Sequence, residues 1–313
     1  MDPVREGTVL GERYRLEHPL GRGSMGRVWH GRDLRLGRPV AVKTVITDAA
    51  VLADSRELDR LQQRFAREAR AAATLDSSNV ATVYDADITG DLRWLVMQLV
   101  EGETLGTVLG ERERLDVASA SAVVAQICSG LAAAHAAGLI HRDLKPENVM
   151  IRRDGVVKIL DFGLVKLAAD DGPALTTTGQ RLGNLLYASP ELLSGSPTPD
   201  ARSDLYSVGC LLHHLLAGIP PFPSENPMAL LNCHLHGRPP TFAEQGVDVP
   251  EGLQALVSSL LAKDREDRPA RAADVYSALG PWLPTPSPAA DLRRFAPEDP
   301  RRPFILPQGP YPV

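Results

Sequence analysis

Cysteine is scarce. Cys128, Cys210 and Cys233 are three in 313 residues, an odd number, so no disulfide framework is expected and a reducing interior suits the chain. Basic residues are not in excess: 34 Lys and Arg stand against 39 Asp and Glu, a formal charge of −5. That balance supplies no broad positive field to draw in nucleic acid or anionic membranes. Uninterrupted apolar runs are short as well. The best candidate read from the sequence, VGCLLHHLLAG, carries two histidines and falls well below the roughly 18 residues a membrane helix needs. The opening MDPVREGTVLGERY has charges and no apolar centre, unlike a secretory signal. The expectation is a soluble, cytoplasmic chain with no nucleic-acid partner and no membrane span.

What is present is ordinary in bulk and specific in detail. Apolar residues make up 43% and charged residues 23%, the balance of a soluble globular enzyme whose length suits one large domain or two lobes. From Tyr14 to about Met97, short alternating runs (RVWHGRD, PVAVKTV, VATVYDAD and RWLVMQLV) are separated by turn residues, the pattern of antiparallel strands. One segment there keeps a helical period instead: Leu58, Leu61, Phe65, Ala72 and Leu75 share a stripe, and Glu68 falls in it. After about residue 102 the pattern turns helical, with Val117 to Ala137 closed by Gly138 and Leu205 to Ala217 closed by Gly218. Between these helices NVMI and VVKIL, joined by Arg-Arg-Asp-Gly, predict a hairpin. The fold class expected is α+β, a small β-rich lobe with one key helix before a larger α-helical lobe. Beyond about Leu283 frequent prolines exclude helix or sheet interior. Two readings of that end stand: a disordered tail, or an irregular one packed through Phe304, Ile305 and Leu306.

Several motifs carry chemistry. GRGSMGRV places Gly21, Gly23 and Gly26 so that backbone can approach phosphates closely. A dinucleotide-binding version would open a helix, whereas here the chain continues as strand from Val28 and returns as PVAVKTV, which fits a flap over a nucleotide. On the returning strand Lys43 shares its face with Ala41 and Val45. It is either an edge-strand solubility device or the counter-charge for Glu68, a carboxylate that an apolar stripe would otherwise desolvate at large cost. In HRDLKPEN, Asp143 and Lys145 combine an acceptor for a proton with a cation for developing phosphate charge, and Asn148 offers a neutral oxygen to a hard cation. Asp161 in Asp-Phe-Gly follows the strand VVKIL, a placement suited to magnesium. Cys233-His234-Leu235-His236 has metal-binding residue types at a spacing too compact for a familiar zinc site.

Taken in this order, the motifs resemble those of bacterial eukaryotic-like (Hanks-type) serine/threonine protein kinases. The resemblance covers about residues 14 to 282 and implies a bilobal kinase fold: an extension over 1–13, an N-lobe over about 14–97, a hinge at 98–101, a C-lobe over 102–282 and a proline-rich tail over 283–313. It implies ATP with Mg²⁺ (Mn²⁺ possible) as cofactors and proteins bearing Ser or Thr as substrates. Gly21, Arg22, Gly23, Ser24, Met25, Gly26, Val28 and Ala41 would enclose ATP, Met97 would gate the back pocket, and Gln98, Leu99 and Val100 would offer backbone hydrogen bonds to adenine. Lys43 would hold phosphates and pair with Glu68, Asp143 would orient the acceptor hydroxyl, Lys145 would contact the transferred phosphate, and Asn148 and Asp161 would hold metal.

The supporting motifs agree. Glu191 in YASPE resembles the close of an activation segment and is expected to pair with Arg268, while Asp204 in SDLYSVG resembles the aspartate that bonds the catalytic-loop backbone; read alone, Asp204 is an acid in a helix's first turn. Thr176, Thr177 and Thr178 are candidate phosphosites, with Arg142 as phosphate partner and a transient homodimer as the route to autophosphorylation. One departure stands out: Gly183-Asn184 replaces the family's Gly-Thr, which puts acceptor preference in doubt. The alternatives from other classes are a pseudokinase acting as a nucleotide-binding scaffold and a small-molecule kinase of the same fold.

Overall fold

The computed structural model describes residues 4–23, 26–46, 55–89, 91–162, 183, 185–195, 199–285 and 294–305. Ser24, Met25, Thr176, Thr177, Thr178, Asn184 and Leu306 lie outside the described residues.

The first lobe is an antiparallel sheet of β1 (Val9–Leu10), β2 (Tyr14–Gly23), β3 (Gly26–Asp33), β4 (Arg38–Ile46), β5 (Val83–Thr89) and β6 (Leu92–Met97), in the order β1-β2-β3-β4-β6-β5. The alternation in PVAVKTV sorts its side chains as the pleat demands. Val40 and Val42 join Tyr14, Leu16, Trp29, Trp94 and Val96 in a small core on one face, while Ala41 and Val45 face the large core with Leu95 and Met97. Helix α1 (Ser55–Ala73) lies against β5. It buries Leu61, Phe65, Ala69 and Ala72, one residue per turn. The strand expected over VATVYDAD begins only at Val83, because Asn79 and Ala81 turn away to bond the backbone of Ile159.

A second sheet, β7 (Gly102–Thr104), β8 (Val149–Arg152) and β9 (Val157–Ile159), carries the predicted hairpin. Val80 bridges to Ile159, tying the two lobes together. Helices α2 (Leu105–Glu111), α3 (Val117–Ala136), α4 (Pro190–Leu193), α5 (Ala201–Ala217), α6 (Pro227–His236), α7 (Glu251–Leu260) and α8 (Ala272–Leu279) follow, with a short α9 (Arg302–Ile305). Asp116 caps α3 through Ser119 N–H, and Gly218 ends α5 in the left-handed conformation at φ 80°.

One sequence expectation needs correction, and one open choice is decided. Among the described residues it is helix α3, and not VGCLLHHLLAG, that is long and apolar enough to cross a membrane. Alanine, serine and glycine give α3 its length without an obvious apolar block, and the lobe buries it: Ala120, Ala122, Val123, Val124, Ala125, Ile127 and Leu131 are inaccessible. The tail, for its part, packs rather than trailing free over residues 294–305. Ile305 is buried and Phe304 lies against the main core, and Pro300 O accepts a hydrogen bond from Gln126 Nε2 at 3.0 Å.

Candidate active site

The loop HRDLKPEN is held by one buried carboxylate. Asp204, in the first turn of α5 and 1% exposed, accepts His141 N–H on Oδ2 and Arg142 N–H on Oδ1, each at 2.9 Å. His135, from the last turn of α3, meets Oδ2 at 2.8 Å. Asp204 therefore does far more than offset a helix dipole; it fixes two consecutive peptide groups. Fixing them also imposes strain, since Arg142 adopts φ 61°, a region L-residues seldom occupy.

His141 is inaccessible, and burial lowers its pKa, so it is neutral. Its Nε2 lies 2.8 Å from Leu160 O, and its Nδ1 accepts Asp143 N–H at 3.2 Å. One ring thus couples the loop's aspartate to the residue before Asp161. Asn148 Nδ2 donates to Asp143 O at 2.8 Å and to Asp143 Oδ2 at 3.3 Å, while Lys145 Nζ stands 3.6 Å from the same Oδ2. The residues paired on sequence grounds are in mutual contact.

Asp161 follows β9 and is also strained, at φ 52°. Its Oδ2 lies 3.0 Å from Lys43 Nζ, and its Oδ1 is buried without a hydrogen-bond partner among the described residues. Leu160 N–H, one residue before it, donates to Asn148 O at 2.8 Å, and an orphaned carboxylate oxygen so tied to the asparagine's segment fits a hard divalent cation held by few protein ligands. Among the described residues no set of three or more His, Cys, Asp or Glu could enclose a metal, so such an ion would share its shell with water and substrate oxygens.

The Lys43–Glu68 pairing expected from the sequence is not formed. Lys43 takes Asp161, the nearer carboxylate delivered by β9. Glu68 is half-buried on α1; desolvation raises its pKa, opposed by the charges of Arg142, Arg67 and Arg64. Spacing places an acid in the stripe of α1, but the choice between two carboxylates depends on where the helix and β9 stand.

Around the cleft, Ala41 is paired with Met97 across β4 and β6, and Val28 with Lys43 across β3 and β4. Gly26 runs so close to β4 that a Cβ there would sit 2.1 Å from Thr44 O, so only glycine fits. At the hinge, Gln98 N–H is spent on Thr82 O at 2.8 Å. That narrows the expected adenine contacts to Gln98 O and the backbone of Leu99 and Val100.

Farther off, Arg268 grips Glu191 through two parallel bonds, Nη1 to Oε1 at 2.7 Å and Nη2 to Oε2 at 3.0 Å. These bonds, with Ser203 Oγ on Oε1 at 2.6 Å, keep the Glu191 pKa below its ordinary value although burial pushes the other way. The order of motifs, the two strained residues and this bidentate pair all belong to one architecture, and the family model described as protein kinase domain matches residues 14–278.

The chain belongs to the protein kinase domain family.

Two relatives illustrate the likeness. Serine/threonine-protein kinase PknB of Mycolicibacterium smegmatis is 38% identical over 274 residues, covering 86% of this chain and 43% of that protein. Serine/threonine-protein kinase PknL of Mycobacterium bovis is 39% identical over 267 residues, covering 85% of this chain and 64% of that protein. This kinase chain therefore spans between two fifths and two thirds of the length of these relatives. Sequence reasoning missed three supports in it: His135 beneath Asp204, Gln126 beneath the tail, and Lys158, whose Nζ donates to Val80 O at 2.9 Å. Each lies in an apolar stretch with no local signal, and only the tertiary partner reveals its role.

Proposed function

We propose that the protein is an ATP- and Mg²⁺-dependent serine/threonine protein kinase that phosphorylates Ser and Thr hydroxyls of proteins, itself included. The observation that carries this reading is the convergence of Lys145 and Asn148 on Asp143 Oδ2, with an Asp161 oxygen that is buried and, among the described residues, unpaired. Asp143 accepts the proton of the attacking hydroxyl, and Lys145 neutralises charge on the phosphoryl group as it moves. Lys43 positions the α- and β-phosphates beneath the flap that Gly21, Gly23 and Gly26 keep thin. Asn148 and Asp161 would hold the divalent ion, Mg²⁺ or Mn²⁺, which would supply positive charge to offset that of the phosphates. Catalysis then rests on positioning, with little covalent work for the side chains.

In this reading, activation exchanges the Lys43–Asp161 pair for a Lys43–Glu68 pair, freeing Asp161 for metal. Phosphorylation in the cluster Thr176, Thr177, Thr178, carried out between two copies, would give Arg142 a charge-assisted partner and draw it away from Glu68. The cytoplasm is the compartment proposed. The scaffold alternative has no observation in its favour, since Lys43, Asp143, Asn148 and Asp161 are all in place. The test is transfer of labelled γ-phosphate to the protein itself or to a generic basic protein with Mg²⁺ present. Wild type should transfer and Asp143→Asn should not; ATP binding without transfer by wild type would refute the proposal.

A further inference from the structure

The face of α1 turned away from its buried stripe is dominated by positive charge, with the exposed acid Asp59 at one edge. Arg56, Arg60, Arg64, Arg67 and Arg70 are all exposed, and at a helical advance of ~100° per residue they fall within an arc of about 120°. From Arg60 to Arg70 the row extends about 15 Å along the axis. Among the described residues Arg60, Arg64, Arg67 and Arg70 form no ion pair within 4.0 Å. Like charges three and four residues apart repel and weaken the helix that carries them. Here they stand on the helix that carries Glu68, in a chain whose formal charge is −5.

We propose that this arginine face is a docking surface for an acidic polypeptide segment. In an extended chain, side chains on one side recur about every 6.6 Å, against rises of about 6 Å from Arg60 to Arg64 and about 4.5 Å from Arg64 to Arg67 and from Arg67 to Arg70. Carboxylates at alternate positions of such a segment would therefore fall among the arginines rather than one to one, within reach of long side chains that can each present a two-pronged donor. A short segment touches only the row. Duplex nucleic acid or an anionic membrane extends its charge well past it, against the remainder of a net-negative chain, so the protein partner is the favoured one. Because α1 also positions Glu68, an occupant of this face bears on the Lys43–Glu68 exchange, and only that consequence rests on the kinase reading.

The test uses the full chain without ATP, so it succeeds or fails independently of phosphate transfer. A fluorescent octapeptide of alternating Glu and Gly, lacking any hydroxyl to phosphorylate, is titrated by anisotropy at low and physiological salt. Wild type should bind saturably and more weakly as salt rises, and Arg60→Glu/Arg64→Glu should bind on the order of ten-fold more weakly. Arg64→Gln/Arg67→Gln, which removes charge without reversing it, should fall between the two and covers the case in which charge reversal unfolds the chain. Equal binding by the variants and wild type, no binding by wild type, or tighter retention of duplex DNA or phosphatidylserine vesicles than of peptide at the same salt would overturn the proposal.

Discussion

Replacing Arg268 by alanine should be among the most damaging single changes outside the cleft, and its damage should depend on pH in a particular direction. The Arg268 side chain is 0% exposed and that of Glu191 11%. Arg268 also donates to Ala262 O, Arg202 O and Lys263 O, so truncation strands a carboxylate and three carbonyls together. Removing one partner of a buried pair typically costs about 3 to 5 kcal/mol, and a loss of that size lowers a melting midpoint by on the order of 10 °C for a lobe of this length. In wild type the Glu191 pKa is depressed from about 4.5. Its contribution is therefore complete above that value and is lost as pH falls through the depressed pKa. In the variant the bonds that depress the pKa are weakened while desolvation, the largest single influence and one that raises it, remains. The sign then reverses: an ionised, stranded Glu191 destabilises fully at neutral pH, and the gap to wild type narrows as acid protonates it. Chemical denaturation of both proteins from pH 7 to pH 4 measures that gap, and Glu191→Gln in the Arg268→Ala background should recover part of the loss at pH 7. A deficit below about 1 kcal/mol, or one that does not change with pH, would refute the reasoning.

Gly26→Ala should weaken nucleotide binding several-fold and lower the melting midpoint as well, because the added Cβ would meet the backbone Thr44 O at 2.1 Å beside Lys43 and force β3 away from β4; calorimetric titration with ATP and a melting scan check it. Gln126→Leu should unseat the tail. It deprives Asn79 Nδ2, Val157 N–H and Pro300 O of their shared partner, each buried loss costing about 1 to 3 kcal/mol, and hydrogen exchange should rise over 294–305 and 76–82 together. Stability should fall as pH drops below the ordinary histidine value of 6.5, since burial lowers the pKa of His141 and His213 and holds His214 and His234 near 4. Each such histidine is protonated more readily unfolded than folded, adding a slope of up to about 1.4 kcal/mol per pH unit. A flat stability profile between pH 6.5 and pH 5 would contradict it.

The sequence legibly encodes whatever is carried by neighbours along the chain. The alternation of PVAVKTV set the face of Lys43, the stripe of α1 set that of Glu68, and the spacing within HRDLKPEN brought Asp143, Lys145 and Asn148 together, because strand pleat, helix turn and tight loop fix side-chain direction within a few residues. Glu191 with Arg268 was legible only through the family resemblance; nothing local in either segment points to a partner 77 positions away.

By itself, then, the sequence determined the two-lobed α+β architecture, the family and the identity of the chemical groups in the cleft. The tertiary structure decided which groups meet. It gave Lys43 to Asp161 and left Glu68 among arginines. It also sank the apolar α3 in a lobe and seated a proline-rich tail on Gln126. The physical reason is common to all of these: local geometry orients a side chain, but the partner of a charge or the cover of an apolar face depends on distances between elements far apart in the chain, and these are set by the packing of the whole core.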